Sequence, residues 1–396
     1  MTQVHFSKVG VLSMRSSPGP VPANTRSPGT LKLEVTAKAV TALSIVMPTV
    51  SWTGMFDRCG RRALALCNGL CAEVTGSAEL VVAFDGAAPP TPAWLDHPQV
   101  KVVETGRQSG PATARNAGAR LARGQILLFV DADVELAPDA LRRVITAFDA
   151  DPGLAGLFGA YDDEPAAEGT VSQFRNLLHH HTHVTHPGNA GTFWSGCGAV
   201  RAATFLGVGG FDESFRTPSV EDIEMGMRIA ARGGRIVLDP ELRCKHLKRW
   251  TLASMVITDI FSRARPWTQL LMASGSMPRI LNIDWKGRAS GVLALALVMM
   301  MSAAVFWPQA LVLVPACAAP LLFINRAFYK FCLNRRGLRF ALASFALHTL
   351  YFCYASITFG WVALETLGQG VLNPRKRGEI QRNNRPTHTS SENVTR

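Results

Sequence analysis

The stretch ILLFVDADVE, residues 126–135, constrains this chain more than any other. Its five leading apolar residues are too few for a stable helix of their own and suit a strand buried on both faces of a parallel sheet. Asp131 and Asp133 follow directly. Carboxylates one residue apart, on a loop leaving the strand's carboxyl edge, can converge on one hard cation because the backbone has left the alternating pleat. Oxygen ligands of this kind suit Mg²⁺ or Mn²⁺ rather than zinc, and a metal held by one or two carboxylates keeps open positions for substrate phosphates. The bland alternative is that Asp133 caps a helix starting near Pro138 and Asp131 is solvated.

The residues upstream decide what surrounds this strand. ALSIVMP (42–48) is an apolar run closed by proline, and a helical stretch follows over 56–74. ELVVAFDG (79–86) and VKVVETG (100–106) read as two more strands, and the Ala-rich GPATARNAGARLARG (110–124) as a helix with a glycine at each end. Strands alternating with helices predict an α/β, doubly wound, mostly parallel sheet with ligands at the strands' carboxyl ends. Thr49, Asp85 and Asp131 each stand within a residue or two of such an end.

The order of IVMPT, VVAFDGA, GPATARNAG, LLFVDADVE, GGFDESF, VEDIEMGMR and CKHLKRW resembles an inverting nucleotide-sugar glycosyltransferase of family 2, with the GT-A fold, over residues 41–250. The resemblance implies that Pro48 and Thr49 line a nucleotide pocket, that Asp85 contacts the base, and that Arg115 lies near the nucleotide. Phe84 stands where the family usually has a further acidic residue, so only Asp85 carries over. It also implies that Asp131 faces the ribose or a metal-bound water, while Asp133 binds the metal bridging the two phosphates. A divalent cation there would neutralise charge growing on a departing nucleoside diphosphate.

A second acidic cluster lies in VEDIEMGMRIAARGG (220–234), which predicts a helix with Ile223, Met227 and Ile229 toward the sheet and Gly233 and Gly234 ending it. Acidic residues in a first turn are favoured by the helix dipole whatever their function. In the family, the aspartate of this ED pair is the catalytic base. Inversion needs a carboxylate that takes the acceptor's proton on the face opposite the diphosphate, a role expected of Asp222 with Glu221 positioning it or the acceptor. GVGGFDESF (207–215) reads as a loop that could order over the donor, and Trp194 as a surface for stacking a sugar or as core. His179, His180, His181, His183 and His186 read as a helix end and its loop. His246 stands where some GT-A enzymes supply a further metal ligand.

Charge and hydropathy locate the rest. The chain has 41 Lys and Arg against 29 Asp and Glu. The excess sits in three zones, with nine basic and two acidic residues over 243–288, five and none over 326–339, and six and two over 374–396. The remainder is net acidic. Basic residues beside apolar segments suit anionic lipid headgroups, and without basic stripes interleaved with aromatics no nucleic-acid partner is expected. Residues 290–325 lack charge and are interrupted at Pro308, which suits a hairpin of two short spans; 340–366 supply a third. Residues 248–274 read as interfacial helices broken by Pro266. A basic loop is expected over 326–339. None of the eight cysteines forms a C-x-x-C pair, so reduced thiols are expected.

The expected plan is a disordered leader (1–38), a GT-A catalytic domain (39–249), interfacial helices (250–288), a membrane segment (289–367) and a basic disordered tail (368–396). The expected protein is a multi-pass enzyme of the cytoplasmic membrane. With Mg²⁺ or Mn²⁺ it would move one sugar from a UDP-, GDP- or dTDP-linked donor to a lipid or lipid-linked acceptor. The closest match to the Q-x-x-R-W motif of processive relatives, residues 263–267, has proline in place of arginine. A single transfer is therefore expected. Two other readings stand beside it. One is a haloacid-dehalogenase-like phosphatase or phosphotransferase using Asp131, although that fold carries its DxD on the first strand. The other is a catalytically silent membrane scaffold.

Overall fold

The computed structural model describes residues 42–73, 78–274 and 285–372. The expected leader and most of the expected tail lie outside them. Four parallel strands, β1 (Leu43–Thr49), β2 (Ala78–Phe84), β3 (Val100–Glu104) and β4 (Ile126–Val130), form one half of a nine-stranded sheet. The other half is mixed. β5 (Val134–Leu136), β6 (Leu154–Tyr161), β7 (Gly188–Ala190), β8 (Cys197–Arg201) and β9 (Arg235–His246) complete the order β3-β2-β1-β4-β8-β6-β9-β5, with β7 also on β9. β8 runs antiparallel to both β4 and β6, so the parallel half ends at the DxD strand.

Helices cover both faces, which is why β1, β2 and β4 are mostly apolar and buried throughout, with the one buried carboxylate, Glu79, bonded by the Ser44 hydroxyl and paired with Lys101. α1 (Gly54–Glu73) packs Phe56, Cys59, Ala63 and Cys67 on one face, a helical spacing. α2 (Pro111–Leu121) lies on the other, so close that a Cβ on Gly118 would sit 2.6 Å from Val46. α3 (Ala140–Ala150) joins α1, burying Leu141, Val144 and Phe148. α4 (Thr170–Val184), α5 (Ala202–Gly207) and α6 (Glu221–Ala231) follow.

Several expectations are corrected here. β5 intervenes between the DxD and the next helix, pairing Val134 with His246, and α3 has Asp139 at its N-cap; Asp133 caps nothing. In α6 the residues that pack inward are Met225, Gly226 and Ile229, because Gly226 lies against the backbone of Phe193 and rotates Ile223 and Met227 to half-buried positions. The histidine cluster falls as expected: His179, His180, His181 and His183 end α4, and His186 lies in the loop after it. Pro266 does not break its helix. α7 (Leu252–Ile257) runs through a π-helical segment, Thr258–Ala264, into α8 (Arg265–Ser274), and the wider turn just before proline absorbs its missing donor.

α9 (Trp285–Ala303), a 3₁₀ turn (Pro308–Leu313) and α10 (Val314–Ile324) form the apolar hairpin. The expected basic loop over 326–339 is helical: α11 (Arg326–Leu372) begins at Arg326 and reverses at Gly337, whose φ is 80°. Sixteen residues of straight helix span about 24 Å, yet the rings of Tyr329 and Phe345 are 5.6 Å apart, so the chain doubles back there. Trp285–Ala303 and Arg326–Thr366 are long and apolar enough to cross a membrane, by length and composition.

Candidate active site

The sheet's carboxyl edge gathers the acidic motifs. β4 delivers Asp131, and α6 opens with Glu221 and Asp222; the guanidinium of Arg115, from α2, lies between them. Its Nη2 donates to Asp131 Oδ1 at 2.7 Å and its Nη1 to Glu221 Oε1 at 2.8 Å. Arg115 is 5% exposed and stands over the ring of Phe211. Burial opposes its charge, but the carboxylates of Asp131, Glu221 and Asp222 outweigh that and hold it protonated. An ion pair this deep contributes little net stability, because desolvation offsets attraction; removing one partner costs about 3–5 kcal/mol.

Asp222 is differently placed. Its Oδ2 accepts from the N–H and hydroxyl of Ser195, at 2.9 and 3.1 Å, and its side chain stays partly open to solvent. Burial, then the adjacent Glu221 carboxylate, push its carboxyl up to about 6, against the Ser195 N–H and the charge of Arg115. Glu221 is more deeply buried, 3% exposed. Its second oxygen accepts from Ser219 N–H, so both of its oxygens are engaged within the protein.

On the other side of Asp131, β5 carries the chain past His246 at the end of β9. Asp133 Oδ2 and His246 Nε2 are 3.4 Å apart. Burial opposes ionisation of Asp133, but the hydrogen bond and charge of His246, with Lys248 nearby, hold its carboxyl below the usual range. The His246 ring stacks on Tyr161 at 4.6 Å and 7°, and its Nδ1 meets Asn176 Oδ1 at 2.7 Å. No group of three or more His, Cys, Asp or Glu side chains converges on a metal position among the described residues. This pair nevertheless fits a divalent cation: one oxygen and one nitrogen at the spacing of neighbouring ligands, leaving the remaining positions for diphosphate oxygens. Asp131, the other expected metal residue, has its Oδ1 held by Arg115.

Two sequence profiles match the chain. Glycosyl transferase family 2 matches residues 44–205, and glycosyl transferase family group 2 matches residues 126–358, more than half of the chain. The chain belongs to glycosyltransferase family 2. Among the relatives of this family 2 enzyme, succinoglycan biosynthesis protein ExoO of Rhizobium meliloti is 41% identical over 75 residues, 18% of this chain and 22% of that protein. Validoxylamine A glucosyltransferase of Streptomyces hygroscopicus subsp. jinggangensis is 28% identical over 228 residues, 49% and 52% of the two chains. The enzyme thus spans about half the length, or less, of these curated relatives. Mannosyltransferase PcManGT from Pyrobaculum calidifontis, solved with GDP-Man and Mn2+, superposes with a TM-score of 0.47 at 17% identity, over 81% of this chain and 87% of that one.

The remaining expected residues of the family 2 enzyme lie along the same edge. Pro48 is buried in β1, and Thr49 closes the turn after it by donating to Ser51 carbonyl. Asp85 is buried and accepts from the N–H groups of Ser109 and Gly110, so it fixes the start of α2. The glycine-rich segment before α6 is pinned in its first half: Phe211 is buried, and Asn116 bonds its N–H and carbonyl. Trp194 packs among Tyr161, His179 and His183. Sequence reasoning missed Ser195, Tyr161 and Asn176, which touch Asp222 and the Asp133–His246 pair. No local motif marks them, because each reaches its partner through sheet or helix packing. His180 and His183 are spoken for, with their Nδ1 atoms on the carbonyls of Tyr161 and Gly159.

Proposed function

We propose that this enzyme transfers a single sugar, with inversion, from a nucleotide-sugar donor (UDP-, GDP- or dTDP-linked) to a lipid or lipid-linked acceptor at the cytoplasmic face of the cell membrane. The observation that carries the reading is the single guanidinium joining the two acidic motifs. Arg115 fixes Asp131, two residues from the Asp133–His246 pair, and Glu221, the neighbour of Asp222. A donor half and an acceptor half are thereby held in one rigid frame.

In this reading Pro48, Thr49 and Asp85 line the nucleotide end, and Asp133 with His246 holds Mg²⁺ or Mn²⁺. When bound, the ion would supply positive charge to the leaving diphosphate. The acceptor hydroxyl oxygen forms a bond to the anomeric carbon as the bond to the diphosphate oxygen breaks, and the electron pair leaves on phosphate. Asp222 takes the hydroxyl proton. Ser195 aims its carboxylate, and a carboxyl near 6 is ionised at neutral pH yet basic enough to help. Arg115 stabilises and orients.

The membrane placement is supported by an inverted distribution of polarity. α11 buries Ser344, His348, Thr349 and Thr358 and exposes Leu342, Leu350, Ile357 and Trp361. The hairpin turn exposes Val305 and Phe306, each 77%. Hydroxyls and an imidazole buried alongside Phe328, Phe352 and Val362, with hydrocarbon outside, suit a lipid solvent. The basic flanks of the hairpin, Lys286, Arg288 and Arg326, support a cytoplasmic side for the catalytic domain.

The test is a screen of labelled nucleotide-sugars against membrane lipid extracts with the full-length protein, combined with thermal protection by UDP, GDP and dTDP with and without Mn²⁺. Transfer of label to lipid and metal-dependent protection by one nucleotide are expected. Absence of protection by every nucleoside diphosphate would overturn the reading.

A further inference from the structure

Asn176 sits in the middle of α4, in the run QFRNLLHHH, and is 2% exposed. Its Oδ1 lies 2.7 Å from His246 Nδ1, while its Nδ2 is buried with no partner among the described residues. Burying an amide with half of its bonding capacity unmet is unfavourable, and a leucine of similar size would fill the place without that penalty. The amide is therefore accounted for by what its oxygen does. An amide oxygen only accepts, so Nδ1 of His246 carries a hydrogen, and in the neutral ring that a cation requires it is Nε2 that has the lone pair. Nε2 is the nitrogen beside Asp133 Oδ2, 3.4 Å away.

We infer that Asn176 is a positioning residue, setting the tautomer and ring orientation that let His246 donate Nε2 to a divalent cation beside Asp133. The inference rests on the metal reading of the Asp133–His246 pair given above. The ring has two supports of different kinds: Tyr161 stacks on its face and fixes the plane, while Asn176 fixes rotation within that plane and the proton's location. Only the second can distinguish a ligating from a non-ligating tautomer. α4 is well suited to carry it. The hydroxyl of Ser172 donates to the Trp250 carbonyl, the guanidinium of Arg175 donates to Asp259, and the rings of His180 and His183 bond to β6 carbonyls, so the helix is fixed on both sides of Asn176.

Metal ligands whose outer partners are removed typically lose ten- to a hundredfold in affinity. The experiment titrates Mn²⁺ into the full-length detergent-solubilised protein and then displaces it with Mg²⁺, reading free Mn²⁺ by its EPR signal in both. Variants are Asn176→Leu, Asn176→Ser, Asn176→Asp and His246→Ala. Asn176→Leu and Asn176→Ser should each weaken Mn²⁺ binding ten- to a hundredfold; Asn176→Asp, which keeps an acceptor oxygen in place, should stay within a few-fold of wild type. Because a nitrogen ligand favours Mn²⁺ over Mg²⁺, the wild-type preference for Mn²⁺ should shrink in Leu and Ser and survive in Asp, a change that simple loosening of the fold would not produce. If Leu fails to fold, Ser carries the comparison. Wild-type Mn²⁺ affinity in Asn176→Ser, with a loss in His246→Ala, overturns the positioning role and leaves the metal pair standing. Wild-type affinity in His246→Ala overturns the metal reading itself.

Discussion

At the scale of single residues the proposed mechanism separates binding from proton transfer. Asp222 is held by Ser195 and lifted to about 6, so its proposed role as base gives a definite pH profile: turnover rises as pH increases through about 6 and levels above it. Its effect on stability has the opposite sense. The folded state binds the Asp222 proton more tightly than the unfolded chain, whose carboxyl titrates near 3.8, so stability from this group falls as pH rises from about 4 to 6 and stays reduced above. Asp222→Asn should therefore abolish transfer, keep nucleotide binding, and melt higher than wild type at pH 7.5 by an amount of order 1 kcal/mol, with the difference vanishing near pH 4. Wild-type-like turnover in that variant would remove Asp222 from the chemistry. Both aspartates of DADVE and the ED pair were legible in the sequence because they adjoin strand and helix ends. What was not legible was the allotment of partners. Arg115 reads as one residue in an Ala-rich helix, and only its burial on the sheet brings it between Asp131 and Glu221.

At the scale of elements, the parallel half of the sheet was readable from its apolar runs, and the mixed half was not. β5 is three residues long and is set by pairing with β9, a partner more than a hundred residues away. No local periodicity records such a strand. The same holds for the inward face of α6. Its hydropathy pattern favours Ile223 and Met227, but a glycine at 226 lets the helix press onto Phe193, and that contact sets the rotation. Gly226→Ala should thus force α6 away from the sheet and shift the Glu221–Arg115 and Asp222–Ser195 contacts. A loss of about 1–3 kcal/mol is expected, together with a larger drop in kcat than in substrate binding, read by chemical denaturation and steady-state kinetics. A fully active, equally stable variant would show that the contact sets nothing.

At the scale of the whole molecule, the catalytic domain and the C-terminal helices meet through polar contacts as well as apolar ones. Asp259, in the π-helical turn, accepts from Arg175 of α4 and from the hydroxyl of Tyr354 of α11. Arg336 bonds Gln173, and Arg335 pairs with Asp163. Phe174, Leu178 and Trp250 pack with Phe328 and Cys332. A chain ending at Arg249 loses every α11 partner of α4, so it should lose thermal stability and activity together, even with soluble acceptor supplied; full activity in that truncation would show that the seam is dispensable.

On the proposed membrane placement, the outward hydrocarbon of α11 also decides how the protein can be handled in detergent. Detergent exchanges with lipid only where hydrocarbon faces outward, along Leu342, Leu350, Ile357 and Trp361. The hydroxyls and the imidazole that face inward meet protein in either medium, so the choice of amphiphile should govern solubility without loosening the joint between the two parts.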